Sequence, residues 1–386
     1  MKHHSRRAAA RSGVVAFLAA ITGLAMAAGI AHAAAPVNYV ALGDSYSAAS
    51  GVLPLDLNAP PECLRSSRNY PHVIAEKTGA KLTDVTCGAA DTTHYAGSQY
   101  PGVDPQLDAL SADTDLVTMT IGGNDSGVFI GAIVKCGSAG TLSLGMGHPC
   151  QDQNGSSFED TIRNTTYPSL VNALNAVHAK APNARVAILS YPWITPKTDG
   201  CFPQMPVAKG DIPYVRSLQT TLNDAVERAA NATGSTFVSL NEISEGHDAC
   251  KPIGTRWVEP VLLGTNPVIV HPNALGESEM AKQTIKVLAK SPDNPLPPVA
   301  STPAPKTKLK KASIRKAKGK ATFRFKSVPG GSTFRCRLDK QKFKPCRSPK
   351  TYRGLKPGRH VFRVKAVNAD GRGDLVPAVK KFRIAG

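Results

Sequence analysis

One stretch divides this chain before any fold can be considered. "SPDNPLPPVASTPAP", Ser291 to Pro305, holds six prolines in fifteen residues. Such a segment runs extended and semi-rigid, and no core can be built through it. The charge reverses across it. Residues 34 to 299 carry 17 basic and 25 acidic side chains, a net of −8. Residues 300 to 386 carry 26 basic and 3 acidic, a net of +23. The overall +19 of the 386 residues is therefore a property of one end. The expected organisation is a leader at 1–33, a catalytic-sized domain at 34–290, a linker at 291–306 and a small basic domain at 307–386.

The leader reads as an export signal. Lys2, Arg6, Arg7 and Arg11 precede an apolar stretch from about Val14 to Ile30, and Ala31-His32-Ala33 fits a small-residue cleavage site. A secreted, extracellular protein is expected, and an oxidising compartment makes disulfides the natural use of eight cysteines. Eight cysteines allow 105 connectivities. Pairing neighbours in the chain gives Cys63 with Cys87, Cys136 with Cys150, Cys201 with Cys250 and Cys336 with Cys346. None stands in a C-x-x-C pair, so no metal is expected.

Between leader and linker, buried strands alternate with helices. Strand-like runs cover 38–42, 81–85, 116–121, 185–190 and 236–240; helical spacing covers 158–180, 212–230 and 274–289. That order predicts an α/β fold, a parallel sheet covered on both faces, with sites at the carboxyl ends of its strands. After the linker, short alternating segments such as "ATFRFKS" and "RHVFRVKAVN" are separated by Pro-Gly and Gly-rich turns. They predict a small antiparallel β-sandwich.

Four short stretches follow strand ends or open the last helix. They are Gly43-Asp44-Ser45, Cys87-Gly88-Ala89-Ala90-Asp91, Gly122-Gly123-Asn124-Asp125 and His271-Pro272-Asn273. Acyl transfer needs a nucleophile, a base and donors for the developing oxyanion. Ser45 supplies a hydroxyl and His271 a base that titrates near neutrality. Gly88 lets a backbone N–H approach a substrate, and Asn124 offers a side-chain N–H. No G-x-S-x-G elbow, H-E-x-x-H pair or phosphate-cradling loop occurs.

These blocks resemble the SGNH hydrolases, or GDSL lipases and esterases, over about 34–290. The resemblance is closest to secreted actinobacterial members, whose three disulfides match the first three pairs above. It implies a three-layer, flavodoxin-like fold without cofactor. Ser45 and His271 would then be catalytic, and Ser45, Gly88 and Asn124 would form the oxyanion hole. Many members carry an aspartate three residues before the histidine. Here that residue is Val268, so the resemblance implies that the Val268 carbonyl orients His271, giving a dyad. Asp248 or Glu259 is the alternative acid. Trp257 is expected either in an acyl pocket or in the core. The expected function is hydrolysis of carboxylic esters, lipid acyl esters first. The rivals are a carbohydrate deacetylase and a non-catalytic surface-binding protein.

The basic segment resembles small Ig-like or fibronectin-like modules. Its charge is expected to attract an anionic membrane or cell-wall polymer, without specific nucleic-acid recognition. A monomer is expected.

Overall fold

We describe the protein from a computed structural model, over residues 36–296, 305–368, 373–374 and 376–385. The expected leader at 1–33 and the middle of the linker lie outside the described residues.

Five strands form one parallel sheet: β1 (Asn38–Ala41), β2 (Lys81–Asp84), β3 (Leu116–Met119), β4 (Arg185–Leu189) and β5 (Thr236–Val238). Their order is β2-β1-β3-β4-β5. β3 is buried along its whole length, as a continuous apolar run in a covered sheet must be, and the edge strand β2 alternates in exposure. All five strands stop short of expectation, β3 and β5 by two residues, and in those two a side chain takes over a hydrogen bond past the strand end. Thr120 N donates to Ser47 Oγ at 2.8 Å, and Leu240 N to Ser190 Oγ at 2.8 Å.

Among the described residues, eight helices accompany the sheet: α1 (Ser45–Ala48), α2 (Tyr70–Thr78), α3 (Val128–Leu142), α4 (Pro149–Asn154), α5 (Ser157–Thr161), α6 (Tyr167–Lys180), α7 (Ile212–Thr233) and α8 (Ala274–Leu288). Alternate residues of each strand enter opposite layers. Val40, Val117, Met119, Val186 and Ile188 meet α3, α6 and α7, while Tyr39, Ala41, Leu116, Ala187 and Leu189 meet α2 and α8. α7 buries Leu218, Leu222, Val226 and Ala229 at helical spacing and stops at Gly234, whose φ is +72°. The helix expected over 158–180 is interrupted by a π turn, Ile162–Thr166, just before Pro168. A proline has no N–H to give the preceding turn, and the widened turn absorbs that loss.

Seven described strands follow the linker: β6 (Lys306–Arg315), β7 (Lys320–Val328), β8 (Thr333–Leu338), β9 (Lys344–Cys346), β10 (Lys350–Tyr352), β11 (Gly358–Val367) and β12 (Ala378–Ile384). They form two antiparallel sheets, β10-β7-β6 and β12-β11-β8-β9. Phe323 and Phe325 of the first sheet share a core with Cys336, Leu338, Phe362 and Val364 of the second. The rings of Phe323 and Phe362 stack at 4.0 Å between centroids.

The four disulfides join Cys63 to Cys87, Cys136 to Cys150, Cys201 to Cys250 and Cys336 to Cys346. Among the described residues no helix is long and apolar enough to cross a membrane, and no cluster of His, Cys, Asp and Glu could hold a metal ion.

Candidate active site

The strand order reverses between β1 and β3, which both flank a crevice at their carboxyl ends. In open α/β sheets that crevice is where ligands bind. Ser45 follows β1 there and Asn124 follows β3. Gly43 makes the turn possible: its φ is +122°, and a Cβ on it would stand 2.4 Å from the Thr120 carbonyl oxygen. Gln106 clamps the same peptide, accepting from Gly43 N at 2.7 Å and donating to Gly43 O at 3.1 Å.

Asp44 starts α1 by accepting from Tyr46 N at 3.0 Å. Its carboxylate also accepts from the hydroxyls of Thr120, at 2.6 Å, and Tyr191. Burial raises its pKa to about 6, against the pull of those hydrogen bonds. Tyr191 in turn accepts from Gly123 N at 2.9 Å, so one network ties the Ser45 turn to the Asn124 loop. Asp125 accepts from Thr92 N and Thr92 Oγ1, at 3.0 and 2.6 Å, and ties that loop to the one after Gly88.

His271 reaches Ser45 from the loop before α8, with Nε2 2.7 Å from Oγ. Nδ1 lies 2.6 Å from the carbonyl oxygen of Ile269. A carbonyl can only accept, so Nδ1 carries the proton and Nε2 is free to take one from Ser45. Desolvation lowers the pKa of His271 below its ordinary value, which keeps the ring neutral; the Ile269 carbonyl acts the other way.

Here the expectation for Val268 is corrected: the carbonyl on Nδ1 belongs to Ile269. Val270 adopts φ +52°, a left-handed turn that brings the carbonyl two residues before the histidine back onto its own ring. The Tyr46 hydroxyl holds that turn by donating to Val270 O at 2.5 Å. Neither alternative acid bonds to the imidazole. Glu259 is held by Arg256 at 2.6 Å, Thr265 N at 2.7 Å and Asn273 Nδ2 at 2.7 Å. Asp248 accepts from Cys250 N at 3.0 Å and faces Lys251 at 3.6 Å. Glu259 does brace the loop, since its N–H donates to His271 O at 2.9 Å.

Of the N–H groups expected to face an oxyanion, one is already engaged elsewhere. The N–H of Gly88 is spent on Cys63 O at 2.9 Å. The next residue, Ala89, holds φ +62°, and its N–H has no acceptor among the described residues. The N–H of Ser45, at the first turn of α1, has none either. Asn124 gives one amide hydrogen to Ala90 O at 2.9 Å and keeps the other.

These groups line a cleft of about 290 Å³, with Phe129, Ile130 and Leu64 among its walls. A second, largely apolar cavity of about 50 Å³ shares Gly123, Phe129 and Ile133 with it. Trp257 lines neither; it is buried and stacks on His247 at 4.4 Å, a core role.

Sequence reasoning missed Tyr46, Gln106 and Tyr191. A signal existed for Tyr191, which directly follows Ser190 at the carboxyl end of β4, where functional groups gather. Tyr46 and Gln106 carried none, because their partners are 224 and 63 residues away.

Residues 41–278 match the profile of the GDSL-like lipase/acylhydrolase family. A curated relative, Lipase 2 of Streptomyces coelicolor, is 60% identical over 260 residues, covering 67% of this chain and 88% of that protein. Two solved structures superpose with a TM-score of 0.55. The extracellular lipase of Streptomyces rimosus is 28% identical, covering 66% of this chain and 99% of its own. The phospholipase A1 of Streptomyces albidoflavus is 27% identical, with the same coverage.

Proposed function

The chain belongs to the GDSL-like lipase/acylhydrolase family and is a carboxylic ester hydrolase; from that premise we propose that it is a secreted lipase working through a dyad of Ser45 and His271. The 2.7 Å approach of Ser45 Oγ to His271 Nε2 carries this reading. Ser45 Oγ attacks the ester carbonyl carbon while Nε2 takes its proton. The imidazolium is steadied by the Ile269 carbonyl on Nδ1. It passes its proton to the leaving alcohol oxygen, and an acyl-Ser45 remains. Water then attacks the acyl carbon as Nε2 takes a proton from it. Collapse returns the proton to Ser45 Oγ and frees the acid. Three N–H groups face the oxyanion: those of Ser45 and Ala89 and the free hydrogen of Asn124. Each such donor contributes about 3 to 4 kcal/mol of barrier lowering.

The acyl group is a lipid chain. Phe129, Ile130, Leu64 and Val268 give the cleft an apolar wall, and the adjoining apolar cavity extends it past Phe129 and Ile133. Leu64, Ile130 and Ile269 are exposed around the site. A bound lipid would cover them. Residues 34–290 act as the catalytic unit, 291–306 as a linker and 307–386 as an appended sandwich, and residues 1–33 direct export.

Hydrolysis of nitrophenyl esters from acetyl to palmitoyl tests the reading. A rate that rises beyond acetyl and is lost in Ser45→Ala is expected. Turnover confined to acetyl would move the substrate to sugar esters, and serine-independent turnover would reject the dyad.

A further inference from the structure

The sandwich sets cations directly opposite cations on both of its sheets. On the first, Lys308 pairs with Lys326, Lys311 with Arg324 and Arg315 with Lys320. On the second, Arg337 stands opposite Arg363, Arg335 opposite Lys365 and Arg383 opposite Arg359. These residues alternate along their strands with the buried Phe323, Phe325, Cys336, Leu338, Phe362 and Val364, so both sets face outward. Directly opposed side chains lie about 5 Å apart, where like charges work against the sheet.

No carboxylate among the described residues relieves them. Asp339 accepts from His360 and Val361 N, and Asp374 accepts from the backbone N–H groups of Thr307 and Val376. A surface shaped for solubility alone intersperses the two signs. This one leaves its cations open to an anion from outside.

The layout also selects the kind of anion. A planar membrane can touch one outer face of a sandwich at a time, whereas a flexible chain can follow both. Outward cations recur about every 7 Å along a strand and about 5 Å across strands, a grid suited to a polymer charged at regular short intervals. On the first sheet a groove runs between Lys311 and Arg324 at one end and Arg315 and Lys320 at the other, with Ser313 and Thr322 between them. Thr351 joins that row, its hydroxyl 2.9 Å from that of Thr322. The groove holds hydroxyls and no aromatic ring. Single-stranded nucleic acids are held by stacking bases on rings. On the second sheet the ring of Phe343 is covered, by Arg337 at 4.9 Å and Lys365 at 5.2 Å from its centroid. We propose that the sandwich binds a flexible polyol-phosphate polymer, its phosphodiesters meeting the opposed cations of both outer faces and its hydroxyls meeting the Ser313, Thr322 and Thr351 row.

The test is a titration of fluorescently labelled poly(glycerol phosphate) with the full chain at several salt concentrations. Salt-dependent binding is expected, since each phosphate that meets a cation releases a counterion. Lys311→Gln with Arg324→Gln, and separately Arg359→Gln with Arg383→Gln, should each weaken it about tenfold at low salt. Each pair should flatten the log–log salt slope by about 1.4, or roughly 0.7 for each phosphate left without its cation. Neither should lower Tm or slow nitrophenyl ester turnover. Three results would overturn the proposal: no binding, binding that neither pair of substitutions changes, or tighter binding to single-stranded DNA. A fourth would assign a membrane instead: preferred binding to phosphatidylglycerol vesicles, lost through one face only.

Discussion

The α/β region and the sandwich use charge in opposite ways. Beneath Ser45, ionised and polar groups point inward and find partners: Asp44 with Thr120 and Tyr191, Arg256 with Glu259, Arg65 with Asp84. On the sandwich, cations point outward and face one another. In the first region Asp44 and Glu259 hold both the fold and the loops that carry Ser45 and His271, so removing either should cost stability and activity together. In the second, the opposed cations of the first sheet work against the fold and should be removable with little harm to the structure. The two regions thus separate a proposed active site that is part of the core from a proposed binding surface laid over it.

The strongest way to break this contrast is at the proposed nucleophile. Ser45→Ala should lower kcat/KM on a soluble nitrophenyl ester by about 10⁴-fold or more, with Tm almost unchanged; a smaller loss would mean another group attacks. Next comes the bracing pair. Glu259→Ala leaves the buried Arg256 without its carboxylate and should cost about 3 to 5 kcal/mol in urea unfolding. It should also slow turnover, because the lost carboxylate holds Thr265 N and Asn273 Nδ2 on either side of His271; stability lost without activity would separate what we have joined.

The pH profile sharpens the contrast. In the proposed dyad Nε2 of His271 must be neutral, and burial lowers its pKa, so the acid limb of kcat/KM should lie below the pH at which an ordinary imidazole titrates. Asp44 adds to the loss. Its pKa is about 6, and once protonated it donates where it had accepted. The six cation pairs of the sandwich contain no histidine, so binding of the labelled polymer should not change from about pH 5 to 8. A matching acid limb there would tie the two regions together.

Smaller effects follow. Tyr46→Phe frees the Val270 carbonyl and should cost about 1 kcal/mol of stability, with kcat reduced several-fold and KM little changed. Lys311→Gln with Arg324→Gln should shift stability by no more than about 0.5 kcal/mol, towards greater stability if either. A clear destabilisation there would show that those side chains pack as well as repel.

The sequence alone determined the alternation of strands and helices, the place of each motif at a strand end, and the segregation of charge across the proline-rich stretch. These are local properties. A buried strand, an amphipathic helix and a turn glycine each mark the residues that form them, whatever lies elsewhere in the chain. The legible part of the site was of the same kind: Ser45, Asn124 and His271 stand where a strand or turn ends. Only the tertiary structure decided that Ile269 rather than Val268 faces the imidazole, and that the free amide belongs to Ala89 rather than Gly88. Each turns on one residue's φ, and a step of one residue redirects a carbonyl or an N–H altogether. It also decided that Tyr46 would hold the His271 loop and that lysines and arginines would meet across strands. Those pairings join residues far apart in the chain, and neither partner's neighbourhood records the other.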